Sequence, residues 1–248
     1  ARRMMAAWKR GGGFVFSLHD FYNGLIWSPP LCLYDVDLPA KGDPDFAKSR
    51  AHEGLGAVMR ASHADGSEGY LLFKVGESTG HYDDDEGSLI WYAFGKPLLT
   101  DFGCQYNPNF HAHPWLHNRI SVDHAADGPP RGGRLVAHSF GHGFDFACGE
   151  VRISRLYRET EWPVRDPDFD FRQVMGPMRE IDAHIWRRHL IYVGALEVVI
   201  LLDQIDGTLP TDWNLQVLAE TVRPHGNRAS FRGQHGVDLE VFLAQPGD

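Results

Sequence analysis

The chain has 248 residues, long enough for one large β-sandwich or two smaller domains, each with a buried core. Hydrophobic residues at 43%, aromatics at 12%, 27 Gly and 15 Pro exclude a disordered chain and favour a turn-rich β fold over a helical bundle. A net charge of -9, with 33 acids against 24 bases, argues against nonspecific nucleic-acid binding, and no apolar run reaches membrane-spanning length, since residues 196–202 are broken by Glu197 and closed by Asp203.

Residues 1–10 are helix formers ended by Gly11-Gly12-Gly13, and residues 28–45, with Pro29, Pro30, Pro39 and Pro44, read as a linker. The expectation is therefore an all-β chain, a large antiparallel β-sandwich with a short N-terminal helical stub. Residues 1–50 are assigned to the end of a preceding helical domain plus linker, and residues 51–248 to the sandwich. The chain opens on Ala1 without a signal-peptide pattern and closes just after a strand-like run, so a fragment of a longer protein, cut short at its C-terminus, is expected. Strands are predicted over residues 55–61, 69–75, 88–94, 97–102, 119–124, 134–140, 144–152, 188–193, 197–203, 214–220 and 237–244, from short apolar runs separated by turn residues. The three cysteines, Cys32, Cys104 and Cys148, are odd in number and lack metal-ligand spacing, so no disulfide framework is expected.

Chemistry-bearing residues concentrate between Gly80 and His124. In an extended chain His81, Asp83 and Asp85 share one face, and Asp101, Tyr106, His111, His113, His117 and His124 follow, so carboxylate oxygens and imidazole nitrogens suited to a cation recur over a short span. The run Asp83-Asp84-Asp85-Glu86 reads equally well as a solvated loop. A three-residue hairpin turn, Phe94-Gly95-Lys96, would set Asp101 opposite Leu89, whereas a two-residue turn would move it to the other face. Asp83 reaches Asp101 only if the chain between Gly80 and Gly87 curls back over the sheet. Arg119 is suited to a substrate carboxylate, Tyr106 to the rim of a cleft or to packing, and Trp115 to a sugar face or to a tucked loop.

The ordered set His81, Gly87-Ser88, Gly95-Lys96-Pro97-Leu98-Leu99, Asp101, Tyr106 and His117-Asn118 resembles the β-domain of the heparinase II/III-like polysaccharide lyases. Arg188-His189, Asp203 and Trp213 look like its later strands, so the likeness covers roughly residues 50–245. The resemblance implies a β-supersandwich that follows an α/α-toroid domain of the same protein. It implies a secreted or periplasmic lyase cleaving an acidic, uronate-containing polysaccharide by β-elimination. It also implies roles: His81 as the catalytic histidine of the cleft, Tyr106 and Arg119 as substrate-binding residues, and Asp83, Asp101 and His117 as ligands of a structural divalent metal. Asp83 stands where that family usually has a histidine, which keeps a zinc-capable ligand but leans the site toward Ca or Mn. Two other readings stay open: a noncatalytic carbohydrate-binding sandwich, and a metal-dependent hydrolase with a base such as Glu86.

Overall fold

The computed structural model describes residues 48–76, 85–101, 114–123, 127, 132–141, 143–157 and 179–244. The chain divides into two units, Ala1–Lys48 and Ser49–Asp248, and every described residue except Lys48 belongs to the second. The expected helical stub and the Pro-rich linker lie outside the described residues, as do Cys32 and Cys104. Cys148 is buried and unbridged, and its burial pushes the thiol pKa up.

The described unit is all-β, and every strand pairing in it is antiparallel. One sheet is a meander of β1 (Arg50–His52), β2 (Gly56–Ser62), β3 (Glu68–Lys74), β4 (Leu89–Ala93) and β5 (Lys96–Leu99). After β6 (Ile120–Val122) come β7 (Gly133–Ser139), β8 (Asp145–Tyr157), β9 (Arg179–Val193) and β10 (Val198–Asp206), and the last four form a second meander. β11 (Thr211–Trp213) pairs with β6, and β12 (Ala219–His225), β13 (Arg228–Gly233) and β14 (Leu239–Phe242) make a small third meander.

The period of two in the sequence sets what is buried. Gly69, Leu71 and Phe73 of β3 and Leu89, Trp91 and Ala93 of β4 point inward, as do Trp186, Arg188, Leu190 and Tyr192 of β9. The two large sheets share one apolar core, with Leu71, Phe73, Leu89 and Trp91 on one side and Val151, Ile153, Trp186 and Leu190 on the other. Gly149 of β8 is small because the opposing sheet comes so close: a Cβ there would lie 2.6 Å from Phe73 Cζ and 2.8 Å from Val75 Cγ2.

Most predicted strands coincide with observed ones. The exceptions have local causes. Residues 214–218 are not a strand but a connection, bridged once from Val217 to Leu99, and the strand proper starts at Ala219. β13, with the polar sequence RASFRG, carries too weak an apolar alternation to be predicted. β9 begins at Arg179, well before the predicted residue 188, because its first half mixes charged residues among apolar ones.

The β4–β5 hairpin corrects one expectation and recovers its consequence. The turn has two residues, not three: Ala93 pairs with Lys96, and Phe94 and Gly95 take φ of 51° and 72° as a two-residue turn of the primed kind requires. Alone this would put Asp101 on the opposite face. A register shift between Tyr92↔Pro97 and Trp91↔Leu99 adds one residue to β5, so continuing the register sets Leu89 opposite Asp101 after all.

Candidate functional site

Three segments meet beside the end of β4: Gly87-Ser88, Thr100-Asp101, and His117-Asn118 after a 3-10 turn at Pro114–Leu116. Asn118 fastens them. Its amide Nδ2 donates to the carbonyls of Leu89 and Thr100, each at 2.7 Å, its Oδ1 accepts from the Gln216 backbone N–H at 2.6 Å, and its own N–H donates to Ser88 Oγ at 3.1 Å. A carboxamide suits this place because it offers two donors and an acceptor at fixed angles.

That fastening holds His117 next to Asp101. The His117 ring is buried, its Nδ1 lies 2.8 Å from Asp101 Oδ2, and Ser88 Oγ is a further 3.5 Å neighbour of the same oxygen. His117 Nε2, also buried, has no hydrogen-bond partner among the described residues. A buried polar nitrogen left in that state costs about 1–3 kcal/mol, so a group placed against it gains that much. The donor set fits a divalent cation. The two nearest atoms are a carboxylate oxygen and an imidazole nitrogen, and their 2.8 Å separation is close to the ~3.3 Å between two ligands of one tetrahedral ion. Among the described residues no three His, Cys, Asp or Glu side chains converge.

His81, Asp83 and Tyr106, the expected cleft histidine, third ligand and rim aromatic, lie outside the described residues. Arg119, expected to meet a substrate carboxylate, is fully buried and meets the carboxylate of Asp127 instead, with NH2 2.7 Å from Oδ2 and Nε donating to the Ile120 carbonyl. Its guanidinium also sits 5.4 Å from the Trp186 ring. The acidic run is partly internal. Glu86 is buried, accepting from Lys74 Nζ and from the Gly76 backbone N–H, while Asp85 accepts from the same lysine at 2.6 Å. Burial works to lower the Lys74 pKa, but the Asp85 and Glu86 carboxylates outweigh it and hold the ammonium above its ordinary range. With both oxygens engaged, Glu86 is poorly placed to serve as a hydrolytic base.

Beneath the site stands a residue whose role the sequence did not disclose. Arg188 is buried and forms a bidentate pair with Asp203, Nε to Oδ1 and NH2 to Oδ2, each at 2.8 Å. Its NH1 donates to the carbonyls of Gly87 and Asn118, each at 2.9 Å, and its plane lies 4.6 Å from the Trp186 ring, whose Nε1 donates to Asp203. One guanidinium thus ties β9 and β10 to both loops that carry the His117 site. Inward alternation with Trp186 and Leu190 was the available signal, since it places a charge where the core should be.

Gly87 completes the arrangement. Its φ is +83°, and a Cβ there would come within 2.3 Å of the Trp186 ring. Gly87→Ala is expected to cost about 3 kcal/mol from the left-handed backbone and the overpacked indole together. A shift in the urea midpoint measures it, and a loss below about 1 kcal/mol would show that the close packing does not constrain the fold.

A second buried polar centre, also unpredicted, lies elsewhere in the core. Glu197 accepts from Tyr192 OH at 2.8 Å, Trp91 Nε1 at 3.1 Å and the Phe94 N–H at 3.3 Å, and contacts His63 Nε2 at 2.7 Å. Gly69 makes room for it, because a Cβ at that position would lie 2.1 Å from Tyr192 OH and 2.3 Å from Glu197 Oε1.

Fold and site together define an antiparallel β-sandwich with a buried histidine held against a partly buried aspartate beside the end of β4. No family model matches the chain, and no curated protein shows significant similarity to it.

Proposed function

We propose that this chain is the β-sandwich part of a polysaccharide lyase that holds a structural divalent metal at Asp101 and His117. The observation that carries the reading is the His117–Asp101 pair: a buried imidazole whose Nδ1 lies 2.8 Å from a partly buried carboxylate, fixed by Asn118 and Ser88. In this reading Asp83 supplies a further ligand, zinc is the favoured ion with Ca or Mn as the harder alternatives, and the metal fixes the Asp101 and His117 loops against each other. The substrate is an acidic, uronate-containing polysaccharide, met in a cleft shared with a preceding α/α-toroid domain, in the periplasm or outside the cell.

The reaction is β-elimination. A base removes the proton on the carbon beside the uronate carboxylate, that electron pair forms the new double bond, and the bond to the 4-linked oxygen breaks with its electrons. The departing oxygen then takes a proton. Neutralising the carboxylate is the main electrostatic demand, because negative charge builds on it as the proton leaves. His81 is assigned to that neutralising or proton-accepting role and Tyr106 to the cleft rim. Arg119, paired with Asp127, supports the site from within instead of binding substrate.

The metal is tested on this chain by zinc titration followed by dialysis and elemental analysis. About one equivalent is expected for the wild type and less than about a tenth of that for His117→Ala, with a Tm that falls on chelation only in the wild type. Equal metal content in both proteins overturns the assignment. The reaction is tested with alginate and heparan sulfate by absorbance of the unsaturated uronate. This chain alone is expected to give little or no turnover and the protein with its toroid domain to give unsaturated products; strong turnover by this chain alone overturns the shared cleft, and cleavage without a double bond overturns the lyase reading.

A further inference from the structure

The second large sheet ends in an open, apolar edge. β10 is its outermost strand and pairs with β9 through nine consecutive residues without a bulge, so one flank of its backbone has no strand beside it among the described residues. That flank is apolar on both faces. Val198, Ile200 and Leu202 point outward, the last two at 52% and 57% exposure, and Val199 and Leu201 on the inner face are only half-buried. We propose that β10 pairs antiparallel with β10 of a second copy of this chain, about a two-fold axis at Ile200.

Folded chains usually blunt their edge strands by shortness, a bulge, a proline or a charge, because an open ladder recruits another strand. The other edges of this sandwich follow that rule. β1, β6 and β11 have three residues each, β14 has four, and β5 has four and a register shift against β4. β7 carries a shift between Leu135 and Ala137, and β12 carries both a shift and Pro224. Val198–Leu202 has none of these devices.

The run also matches itself. A two-fold axis at Ile200 sets Val198 opposite Leu202 and Val199 opposite Leu201, so each of the five positions meets an apolar partner and the inner and outer faces stay in phase. Moving the axis to Leu201 would set Val199 against Asp203 and Val198 against Gln204. The acids that bracket the run are engaged elsewhere: Glu197 is buried with Tyr192 and Trp91, and Asp203 is held by Arg188. Pairing joins two four-stranded sheets into one continuous sheet. Five residues span about 17 Å, and an interface on the order of 1,000 Å² in total lies at the lower limit for a specific complex, so the dimer is a weak one. The proposal does not depend on the lyase reading.

The test is sedimentation velocity of the chain over about 1 to 500 μM, where a monomer–dimer equilibrium with a Kd on the order of 50 μM is expected. Ile200→Lys sets two ammonium groups face to face at the axis, and Leu202→Lys sets one against Val198. Each should weaken the dimer at least about tenfold. Val222→Lys, at a comparably exposed apolar position on β12, should stay within roughly twofold. Urea midpoints at about 1 μM, where the chain is monomeric, establish that each variant is folded, and if one β10 variant is not, the other decides. The proposal is overturned if the chain is monomeric at about 500 μM, if a folded β10 lysine variant dimerises as the wild type does, or if Val222→Lys weakens the dimer equally. None of these readouts involves metal or an unsaturated product, so failure here is distinct from failure of the lyase assignment.

Discussion

Arg188→Ala is expected to lower stability by about 5 kcal/mol, comparable to the whole margin of many domains, and to leave a large unfolded fraction at room temperature. Three losses add. The Asp203 carboxylate is stranded without its bidentate partner, the carbonyls of Gly87 and Asn118 lose a charged donor, and the Trp186 ring loses the cation over its face. Arg188→Lys should recover little of this, since one ammonium cannot span both Asp203 oxygens and still reach two carbonyls on other segments. In a double-mutant cycle with Asp203→Asn, urea midpoints should give a coupling of at least about 2 kcal/mol. A loss below about 1 kcal/mol for Arg188→Ala would show that the guanidinium does not clamp the sheets. Because NH1 holds the loops bearing Ser88 and Asn118, the His117 site should loosen with it, and metal retention should fall in parallel.

The antiparallel sandwich was legible because β3, β4 and β9 alternate apolar and polar residues, and alternation is a local property. The grouping of Ser88, Asp101 and His117-Asn118 was also within reach. It depends on a hairpin register that the turn and bulge together set, although the turn itself was misread. What escaped were contacts that no local pattern encodes. Gly87 looks like a turn glycine, and nothing near it in the chain announces that Trp186 will press on it. Glu86 ends a run of four acids that reads as a solvated loop, yet it is drawn inside by a lysine 12 positions earlier and a backbone N–H 10 positions earlier. Arg119 carries a charge that suits a substrate as well as it suits Asp127, and only the fold decides which carboxylate it meets. Glu197 interrupts an apolar run, and its partners Trp91 and His63 lie 106 and 134 residues away.

Glu197 is where the second large effect is expected. Glu197→Ala should cost about 4 kcal/mol, because Trp91 Nε1, Tyr192 OH and the Phe94 N–H would all lose their acceptor in the interior. The same cluster predicts an alkaline limb in the stability profile. Burial first, and then the hydrogen bond and charge of Glu197, push the Tyr192 pKa far above its ordinary value near 10. Below about pH 10 the folded and unfolded chains both keep the phenolic proton, so the contribution of Tyr192 is fully present there. Above it the unfolded chain releases the proton and the folded chain retains it, so stability falls by up to about 1.4 kcal/mol per pH unit. Lys74 and Tyr70, whose pKa values are also raised, contribute slopes of the same sign in the same range. Tyr192→Phe separates the contributions. It should be about 1 kcal/mol less stable than the wild type at pH 8, having lost one hydrogen bond, and should close that gap by pH 11 as the wild type alone loses the tyrosine contribution. Parallel urea midpoints for the two proteins from pH 8 to 11 would mean that the phenol is not held protonated by its surroundings, and Glu197 would then be a packing residue only.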